Sequence, residues 1–304
     1  MKPRFSIIMP VYNAKSYIEH ALADVLGQTF EEFECILVND KSTDDSVQII
    51  KKIIDGDKRF KIISNKNNLG SSLSRRVGME AARTDYIIFL DADDRFSCEL
   101  LESVNSAIES SKKTIDIVTW DFGITDGNEK KDVELGWYDK EHIPKGVYSP
   151  EQVADCIFNI NPNNVWTKCF RLQLLRDHGI EFDNDIIMGE DLLFSDSALA
   201  VARAVKNIDR KLAYYRLESV GSINGTMDYD RRISDVFTAA MKLQDFLHKN
   251  NKYELFKVSF QKRMMADINV QINEKVNWAI QNKSKVISVK VRQTLAKIAK
   301  KILR

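Results

Sequence analysis

Apolar runs and amphipathic stretches alternate along the first third of the chain. The first apolar run, residues 5–9, stops before Pro10, and residues 16–28 then place apolar side chains at helical spacing. Three further runs, each predicting a buried strand, lie at 33–40, 60–65 and 85–94. Continuous apolar strands that alternate with helices are typical of a parallel sheet covered on both faces. The pattern therefore predicts an α/β fold with a mostly parallel sheet and helices on both faces.

The pattern is less regular beyond this region. A strand is predicted at 115–124, a polar loop at 125–148 and a helix from Pro150. A last strand and loop are predicted at 212–224, and the remainder, 226–304, is predicted to be helical.

Polar residues follow each of the first four predicted strands, at the point where the apolar run ends. They are Tyr12-Asn13, Asn39-Asp40, Asn67-Asn68 and Asp91 to Asp94. The carboxyl ends of parallel strands meet at one edge of a sheet, and ligands bind at that edge. We therefore expect these side chains to lie together and to form a ligand site.

Three acids, Asp91, Asp93 and Asp94, end the fourth apolar run. Carboxylate oxygens are hard ligands for Mg²⁺ or Mn²⁺, and such ions commonly complete their coordination with phosphate oxygens. A solvated acidic turn that caps a helix near Cys98 is the alternative interpretation. The position of the acids on the shared edge favours the metal, whose charge would also offset their mutual repulsion.

Composition and charge describe an ordinary globular protein. Of the 304 residues, 44% are hydrophobic and 29% are charged, and the net charge of +1 implies no nucleic-acid partner. The four cysteines show neither CxxC spacing nor neighbouring histidines, which argues against a zinc site or a disulfide framework. No apolar stretch has the length of a signal peptide's core or of a membrane span, so we expect a cytoplasmic protein.

Four segments resemble, in order and spacing, the motifs of family 2 glycosyltransferases with the GT-A fold. They are FSIIMPVYNAKSYIEHAL, ILVNDKSTDDS, NLGSSLSRRVGMEAA and YIIFLDADD. The resemblance implies a GT-A catalytic domain at 1–225, followed by a C-terminal helical region at 226–304. Within the domain it implies a nucleotide-binding half at 1–105 and an acceptor-binding half at 106–225.

The resemblance implies that the nucleotide-sugar site lies along the edge of the sheet. The implied residues are Pro10, Val11, Tyr12, Asn13, Asp40, Asn68, Gly70, Arg75, Asp91 and Ala92. In the family, Asp40 accepts a hydrogen bond from uracil, although a helix-capping carboxylate is the alternative at this position. Arg75 adds positive charge near the nucleotide, and its neighbour Arg76 is the alternative for that role.

The resemblance also implies a metal ligand and a catalytic base. Asp93 is the expected ligand of Mn²⁺ or Mg²⁺ on the sugar diphosphate, and Asp94 assists through water or orients the loop. Asp191, the second acid of the Glu190-Asp191 pair, is the expected base. Acids also suit the positive end of a helix dipole, so stabilisation of a helix start is the alternative interpretation.

Further candidate contacts to the donor or acceptor come from the same resemblance. They are Trp166, Glu190, Arg216 and Ser222. Trp166 would offer an apolar face to a sugar ring, and a core tryptophan is the alternative.

Residues 283–304 contain eight basic residues and no acid, with apolar residues at three- and four-residue steps. The pattern predicts an amphipathic helix. This helix either packs on the core or lies on an anionic membrane surface, which would make the protein peripheral to the inner face of the cell membrane.

Together these features predict an inverting, metal-dependent glycosyltransferase. It would move a hexose or N-acetylhexosamine from a UDP-sugar to a hydroxyl of a growing bacterial surface glycan, lipid-linked or on a polymer. A non-catalytic, nucleotide-sugar-binding partner subunit of another glycosyltransferase is the alternative from a different class. A nucleotidyltransferase usually opens with a glycine-rich basic loop after the first strand, and PVYNAKSY lacks the glycines.

Overall fold

The computed structural model describes residues 3–133, 135–136, 138–217 and 228–281, with the side chains of 272 and 275–281 excepted. The strands in this part of the chain are β1 (Phe5–Val11), β2 (Phe33–Asn39), β3 (Phe60–Ser64), β4 (Tyr86–Phe89), β5 (Arg95–Phe96), β6 (Ile117–Thr125), β7 (Lys130–Lys131), β8 (Val147–Tyr148), β9 (Lys168–Arg171) and β10 (Val205–Arg216). The helices are α1 (Ile18–Leu26), α2 (Ser46–Ile53), α3 (Gly70–Ala81), α4 (Leu100–Glu109), α5 (Leu172–His178), α6 (Glu190–Val201), α7 (Tyr229–Lys249) and α8 (Tyr253–Gln281).

The strands form a sheet in the order β3-β2-β1-β4-β9-β6-β10-β5, with β7 beside β6 and β8 beside β10. Strand β1 pairs in parallel with both β2 and β4, and β2 pairs in parallel with β3. Strand β9 runs antiparallel between β4 and β6, whereas β6 and β10 form a long parallel pair. The predicted α/β fold is confirmed, and the carboxyl ends of β1 to β4 lie along one edge.

Helices cover both faces of this sheet. Alternate residues of a strand point to opposite faces, so Ile8 belongs to one apolar cluster and Ile7 and Met9 to the other, all fully buried. Helix α3 packs directly on β1, because a Cβ added at Gly78 would lie 2.3 Å from Cγ2 of Ile8. Burial of both faces explains why the strands are unbroken apolar runs in the sequence.

Strand β1 is longer than the pattern predicts, because it continues through Pro10 to Val11. Pro10 pairs with Val38 of β2, at a point beyond the last residue pair between β1 and β4. A proline lacks the backbone N–H, so it is tolerated where a strand has a neighbour on one side only. The prediction that the strand ends at residue 9 was therefore wrong by two residues.

The later half of the fold departs further from the pattern. Strand β10 begins at Val205, well before the predicted 212. Charged residues inside the strand interrupt the alternation of apolar and polar positions that would indicate a strand. Its register shifts between Ile208 and Lys211, which disturbs the alternation of the strand further. The helix predicted from Pro150 is a 3-10 turn, Pro150–Val153.

The two C-terminal helices pack on the core of the sheet. Helix α7 buries Leu243 and Leu247, and α8 buries Phe256 and Phe260, in the same apolar cluster as Phe89 of β4. Full burial of each such side chain contributes about 1.5–3 kcal/mol, so these helices stabilise the sheet. The domain boundary at 225 stays a prediction, since 218–227 lie outside the described residues.

Within the described part of the chain, no helix combines the length and the apolar character needed to cross a lipid bilayer. The basic segment at 283–304 lies outside the described residues.

Candidate active site

The acidic loop after β4 lies at the carboxyl edge of the sheet and is held by the end of β10. The carboxylate of Asp94 is buried and accepts a hydrogen bond of 2.8 Å from the backbone N–H of Arg216. The side chain of Arg216 donates from Nε to the carbonyl of Asp93, also at 2.8 Å. These bonds fix the loop and leave Asp91 and Asp93 partly exposed at the edge.

Arg75 of α3 is the centre of the candidate site. Its buried guanidinium donates from Nη2 to Asp91 at 2.8 Å and from Nη1 to Asp191 at 3.0 Å, and Nη1 lies 3.5 Å from Glu190. Its Cζ lies 5.4 Å from the centroid of the Phe182 ring, which gives it a cation–π contact. Arg75 therefore joins the acidic loop after β4 to the acid pair of α6.

Arg76, the alternative for the role of Arg75, faces the surface. It pairs with Glu80 on its own helix at 3.3 Å and with Glu181 at 3.0 Å. The geometry thus brings Arg75, and not Arg76, to the edge of the sheet.

The acid pair is placed by the start of α6. Gly189 precedes the helix with a φ of +90°, a conformation that favours glycine, and Glu190 and Asp191 form the first turn. One carboxylate oxygen of Asp191 faces Arg75, and the other accepts a hydrogen bond of 3.2 Å from the backbone N–H of Val165. The acids occupy the positive end of the helix dipole as well, so the two interpretations of this pair are compatible.

Crowding of the acids changes their proton affinities. Burial raises the pKa of Glu190 to about 8, and the charge of Asp191 adds to this rise while Arg75 opposes it. Burial also raises the pKa of Asp191, against the opposing charge of Arg75. Burial alone would lower the pKa of Arg75, but Asp191, Asp91 and Glu190 outweigh it and hold that pKa above its usual value. One guanidinium thus compensates only part of the negative charge around it.

Asp40 is almost completely buried and is bonded within the protein. Its carboxylate accepts hydrogen bonds from the backbone N–H groups of Leu69, at 2.8 Å, and Gly70, at 2.7 Å. The side chain of Asn65 donates a third, at 2.8 Å. Asp40 therefore caps the start of α3, and its contact with uracil stays a prediction.

Other residues of the implied nucleotide site surround this cap. Tyr12 and Asn68 are exposed at the edge, and Gly70 has a φ of +85° where α3 begins. The side-chain oxygen of Asn13 accepts a hydrogen bond of 2.8 Å from the backbone N–H of Thr43. An exposed aromatic ring and exposed amides at strand ends offer the stacking and hydrogen-bonding groups that a nucleotide base requires.

None of three further implied residues has a fully exposed side chain. Val11 is fully buried in the core, Ala92 is nearly so, and Pro10 lies within β1. Their place in the sheet fixes the path of the edge, and the contact of each with a nucleotide stays a prediction.

Trp166 is largely buried in an aromatic stack, with its ring 5.7 Å from that of Tyr215 and parallel to it. Its contact with a sugar stays a prediction. Arg216 is occupied in holding the acidic loop, and its Cζ lies 4.6 Å from the ring centroid of Tyr17. Ser222 lies outside the described residues.

The acidic loop suits a divalent cation. Among the described residues, no three His, Cys, Asp or Glu side chains converge as a complete metal cage. Mg²⁺ does not need one, because it is commonly held by one or two carboxylates and by substrate phosphates. Burial raises the pKa of Asp94 well above its usual value, and the charges of Asp93 and Asp91 raise it further. This excess negative charge beside the partly exposed Asp93 fits a bound cation.

Some residues of the site were missed from the sequence. Phe182, which lies against Arg75, carries no local signal, because only the packing of the loop before α6 brings it there. Lys168 had a signal, since it lies two residues after the candidate Trp166, in the segment NVWTKCFR. It is fully buried, and it bonds to backbone carbonyls behind Asp191.

The chain is similar to several known proteins. The model for "Glycosyl transferase family 2" matches residues 6–162. The chain is 31% identical over 231 residues to "Uncharacterized glycosyltransferase EpsJ" of Bacillus subtilis, over 71% of this chain and 62% of EpsJ. A Haemophilus influenzae protein described as "Uncharacterized glycosyltransferase" is 46% identical over 100 residues, which are 33% of this chain and 40% of that protein. The chain thus spans less than two thirds of these relatives.

Two solved structures share the fold. The structure of S. aureus TarS 1–349 in complex with UDP-GlcNAc superposes with a TM-score of 0.67 and 22% identity, over 83% of this chain and 70% of that one. Mannosyltransferase PcManGT from Pyrobaculum calidifontis, in complex with GDP-Man and Mn²⁺, has a TM-score of 0.57 and 13% identity, over 100% of this chain and 81% of that one. The predicted GT-A fold is confirmed.

The raised pKa of Glu190 predicts a pH-dependent stability. A glutamate with a pKa of about 8 in the folded protein, against 4.5 as its ordinary value, retains its proton preferentially in the folded state. Stability therefore falls as pH rises between these two values, and Glu190→Gln removes that loss. We expect the variant to gain about 1–4 kcal/mol over wild type between pH 5 and pH 8, measured by urea unfolding without metal or nucleotide.

Glu181→Gln is the matched control, because it removes an exposed acid from the loop before α6. Its unfolding free energy should run parallel to that of wild type across this pH range. Parallel curves for Glu190→Gln and wild type would show that Glu190 is ionised throughout.

Proposed function

The chain belongs to glycosyltransferase family 2, and from this premise we propose that it transfers a hexose or N-acetylhexosamine from a UDP-sugar, with inversion, to a hydroxyl of a growing bacterial surface glycan. The observation that carries the proposal is the convergence of Asp91, Arg75 and Asp191 at one edge of the sheet. The fold shared with TarS bound to UDP-GlcNAc supports the donor class. A relative of this chain named "Poly(ribitol-phosphate) beta-N-acetylglucosaminyltransferase TarS" supports a cell-surface polymer as the acceptor class.

In this proposal the nucleotide lies over the ends of β1 to β4. The ring of Tyr12 and the amide of Asn68 are exposed there, and Asp91 lies at the end of β4 toward the ribose. The carboxylate of Asp40 accepts hydrogen bonds from the backbone at the start of α3. In this way Asp40 fixes the backbone that borders the nucleotide base, although its own carboxylate already has protein partners.

Asp191 acts as the base. An inverting transfer needs one carboxylate on the acceptor side, which removes the proton of the hydroxyl as the anomeric carbon is attacked. A raised pKa makes Asp191 a stronger base than an ordinary aspartate, and Arg75 keeps it ionised. Glu190, with a pKa of about 8, retains its proton near neutral pH and limits the negative charge beside the base.

Asp93 would hold Mn²⁺ or Mg²⁺ together with the oxygens of the donor diphosphate. Such an ion neutralises negative charge on the leaving diphosphate. Arg216 donates to the backbone carbonyl of Asp93 and so fixes the acidic loop, which supports this role. The neighbour solved with Mn²⁺ supports a metal on this fold.

The first test is of the base. We expect Asp191→Asn, which keeps the shape and removes the basic oxygen, to lower kcat by about 10²–10⁴ in UDP release from a panel of UDP-sugars with Mn²⁺. Binding of UDP, measured by calorimetry, should stay within about twofold, because the nucleotide contacts are elsewhere. Asp185→Asn, in an exposed position before α6, is the control and should keep full turnover. Surviving turnover with lost UDP binding would make Asp191 a structural residue.

The second test is of the metal. Asp93→Ala should abolish UDP-sugar turnover and weaken UDP binding in Mn²⁺ by about tenfold or more, and excess EDTA should do the same to wild type. Asp55→Ala is the control, since Asp55 is an exposed acid in the loop that enters β3, at the opposite edge of the sheet. Full activity of wild type in excess EDTA would overturn the metal assignment.

The third test is of the membrane contact proposed for 283–304. Attraction of about 1 kcal/mol per basic residue to an anionic surface, with burial of the apolar stripe, predicts firm binding to vesicles that contain phosphatidylglycerol. Truncation after Gln281 should abolish sedimentation with these vesicles and leave UDP-sugar turnover intact. High salt should release the full-length protein partly, because screening weakens only the charge contribution. If the full-length protein does not sediment with such vesicles, the proposed membrane contact is refuted.

A further inference from the structure

Three charged side chains lie buried behind Asp191, between β9, α6 and α8. Lys168 and Asp196 are completely buried and Arg263 is nearly so. Nε of Arg263 lies 3.6 Å from a carboxylate oxygen of Asp196. Burial raises the pKa of Asp196 to about 7 and lowers that of Lys168 to about 7, so the charge of each depends on its neighbours. Buried charges of this kind commonly stabilise a fold less than apolar side chains would.

The two cations of this cluster face the carbonyls of one loop, residues 161–165. Nη2 of Arg263 donates to the carbonyl of Asn161 at 2.7 Å. Nζ of Lys168 donates to the carbonyl of Asn164 at 2.6 Å and also to that of Pro162. Carbonyls of an irregular buried loop need such partners, because neither a helix nor a strand satisfies them. Lys168 and Arg263 therefore hold the backbone of this loop from the buried side.

The same loop carries the hydrogen-bond donor to the base. The backbone N–H of Val165 donates to Asp191, and this N–H and the carbonyl of Asn164 belong to one planar peptide unit. In a trans peptide the two groups point in opposite directions. Lys168 holds one end of this unit, where Oγ of Ser195 also donates at 3.3 Å, and Asp191 contacts the other. Lys168 thus helps to set the direction in which the N–H points.

We propose that Lys168, Asp196 and Arg263 are positioning residues for the base, which orient the peptide between Asn164 and Val165 and thereby Asp191. Asp196 offsets the charge of the two cations, and Arg263 holds the start of the loop. The inference rests on the proposed function, because it takes Asp191 as the base. It also gives α8, which lies beyond the segment matched by the family model, a part in the active site.

The test is the double variant Asp196→Asn with Arg263→Met in the full chain. It removes both charges of the ion pair at once, so that neither charge is left buried without its partner. We expect kcat for the UDP-sugar that wild type hydrolyses fastest to fall about 10–100-fold, with its KM within about twofold. The acid limb of the pH dependence of kcat should move up by about 0.5–1 unit, because Asp191 loses a well-aimed N–H donor. The titratable groups that face Asp191, namely Arg75, Asp91, Glu190 and Lys168, are all retained.

Arg232→Met is the matched control. Arg232 is an equally buried arginine on α7, and its ion pair of 3.1 Å with Glu274 joins α7 to α8 rather than to the loop at 161–165. This variant should lose stability but keep the kcat and the pH profile of wild type. If the double variant has the same kcat and pH profile as Arg232→Met, the positioning role is overturned. Equal losses of kcat and of UDP-binding capacity in the double variant would overturn it too.

Further results distinguish a failure of the proposed function from a failure of the positioning role. Wild type without turnover of any UDP-sugar would refute the proposed function, and active Asp191→Asn would refute the role of Asp191 as base. Inactive Asp191→Asn with an unaffected double variant would refute only the positioning network. Should the double variant not fold, Arg263→Lys takes its place, because a lysine keeps the charge but cannot reach both Asn161 and Asp196. We expect a kcat about three- to tenfold below wild type for Arg263→Lys, and a wild-type kcat would contradict the inference.

Discussion

The ion pairs of Arg75 are the constraint on which the candidate site depends. Removing a guanidinium from water is costly unless carboxylates surround it, and Arg75 meets this need with Asp91 and Asp191. These acids come from the end of β4 and from the start of α6, so the ion pairs join α3 to both of these elements. The charge that stabilises Arg75 is also the charge that the proposed chemistry uses.

The two sides of the site are held in different ways. Along the ends of β1 to β4, parallel strands covered on both faces form a rigid edge, and Asp40 ties the start of α3 to the end of β2. Beside Asp191 the backbone is irregular, and hydrogen bonds from buried charged side chains replace those of a strand ladder. Arg216 plays the same part for the acidic loop, where it bonds to the carbonyl of Asp93. Cationic side chains thus donate hydrogen bonds to backbone carbonyls both at the acidic loop after β4 and at the loop of residues 161–165.

Much of the first half of the fold could be predicted from local signals. Buried strands and helices differ in period, and polar residues such as Asn39 and Asp91 stand where apolar runs end. The errors occurred where tertiary context overrides the local pattern. Pro10 lies inside β1 because the neighbouring strand has already ended, and the charged residues of β10 belong to a strand whose register shifts. The single turn at Pro150–Val153 also shows that a proline start signal does not set the length of a helix.

The sequence by itself determined the α/β fold, the family resemblance and the edge at which the acids stand. All three depend on spacing within segments of a few tens of residues. Tertiary packing decides which arginine of the Arg75-Arg76 pair faces the acids, and it brings Lys168 to the loop behind Asp191. Arg75 and Asp191 are 116 positions apart, and their contact depends on how α3 and α6 pack on the sheet. Local periodicity carries no information about such a contact, because many distant pairs of charges are equally compatible with the same pattern of strands and helices.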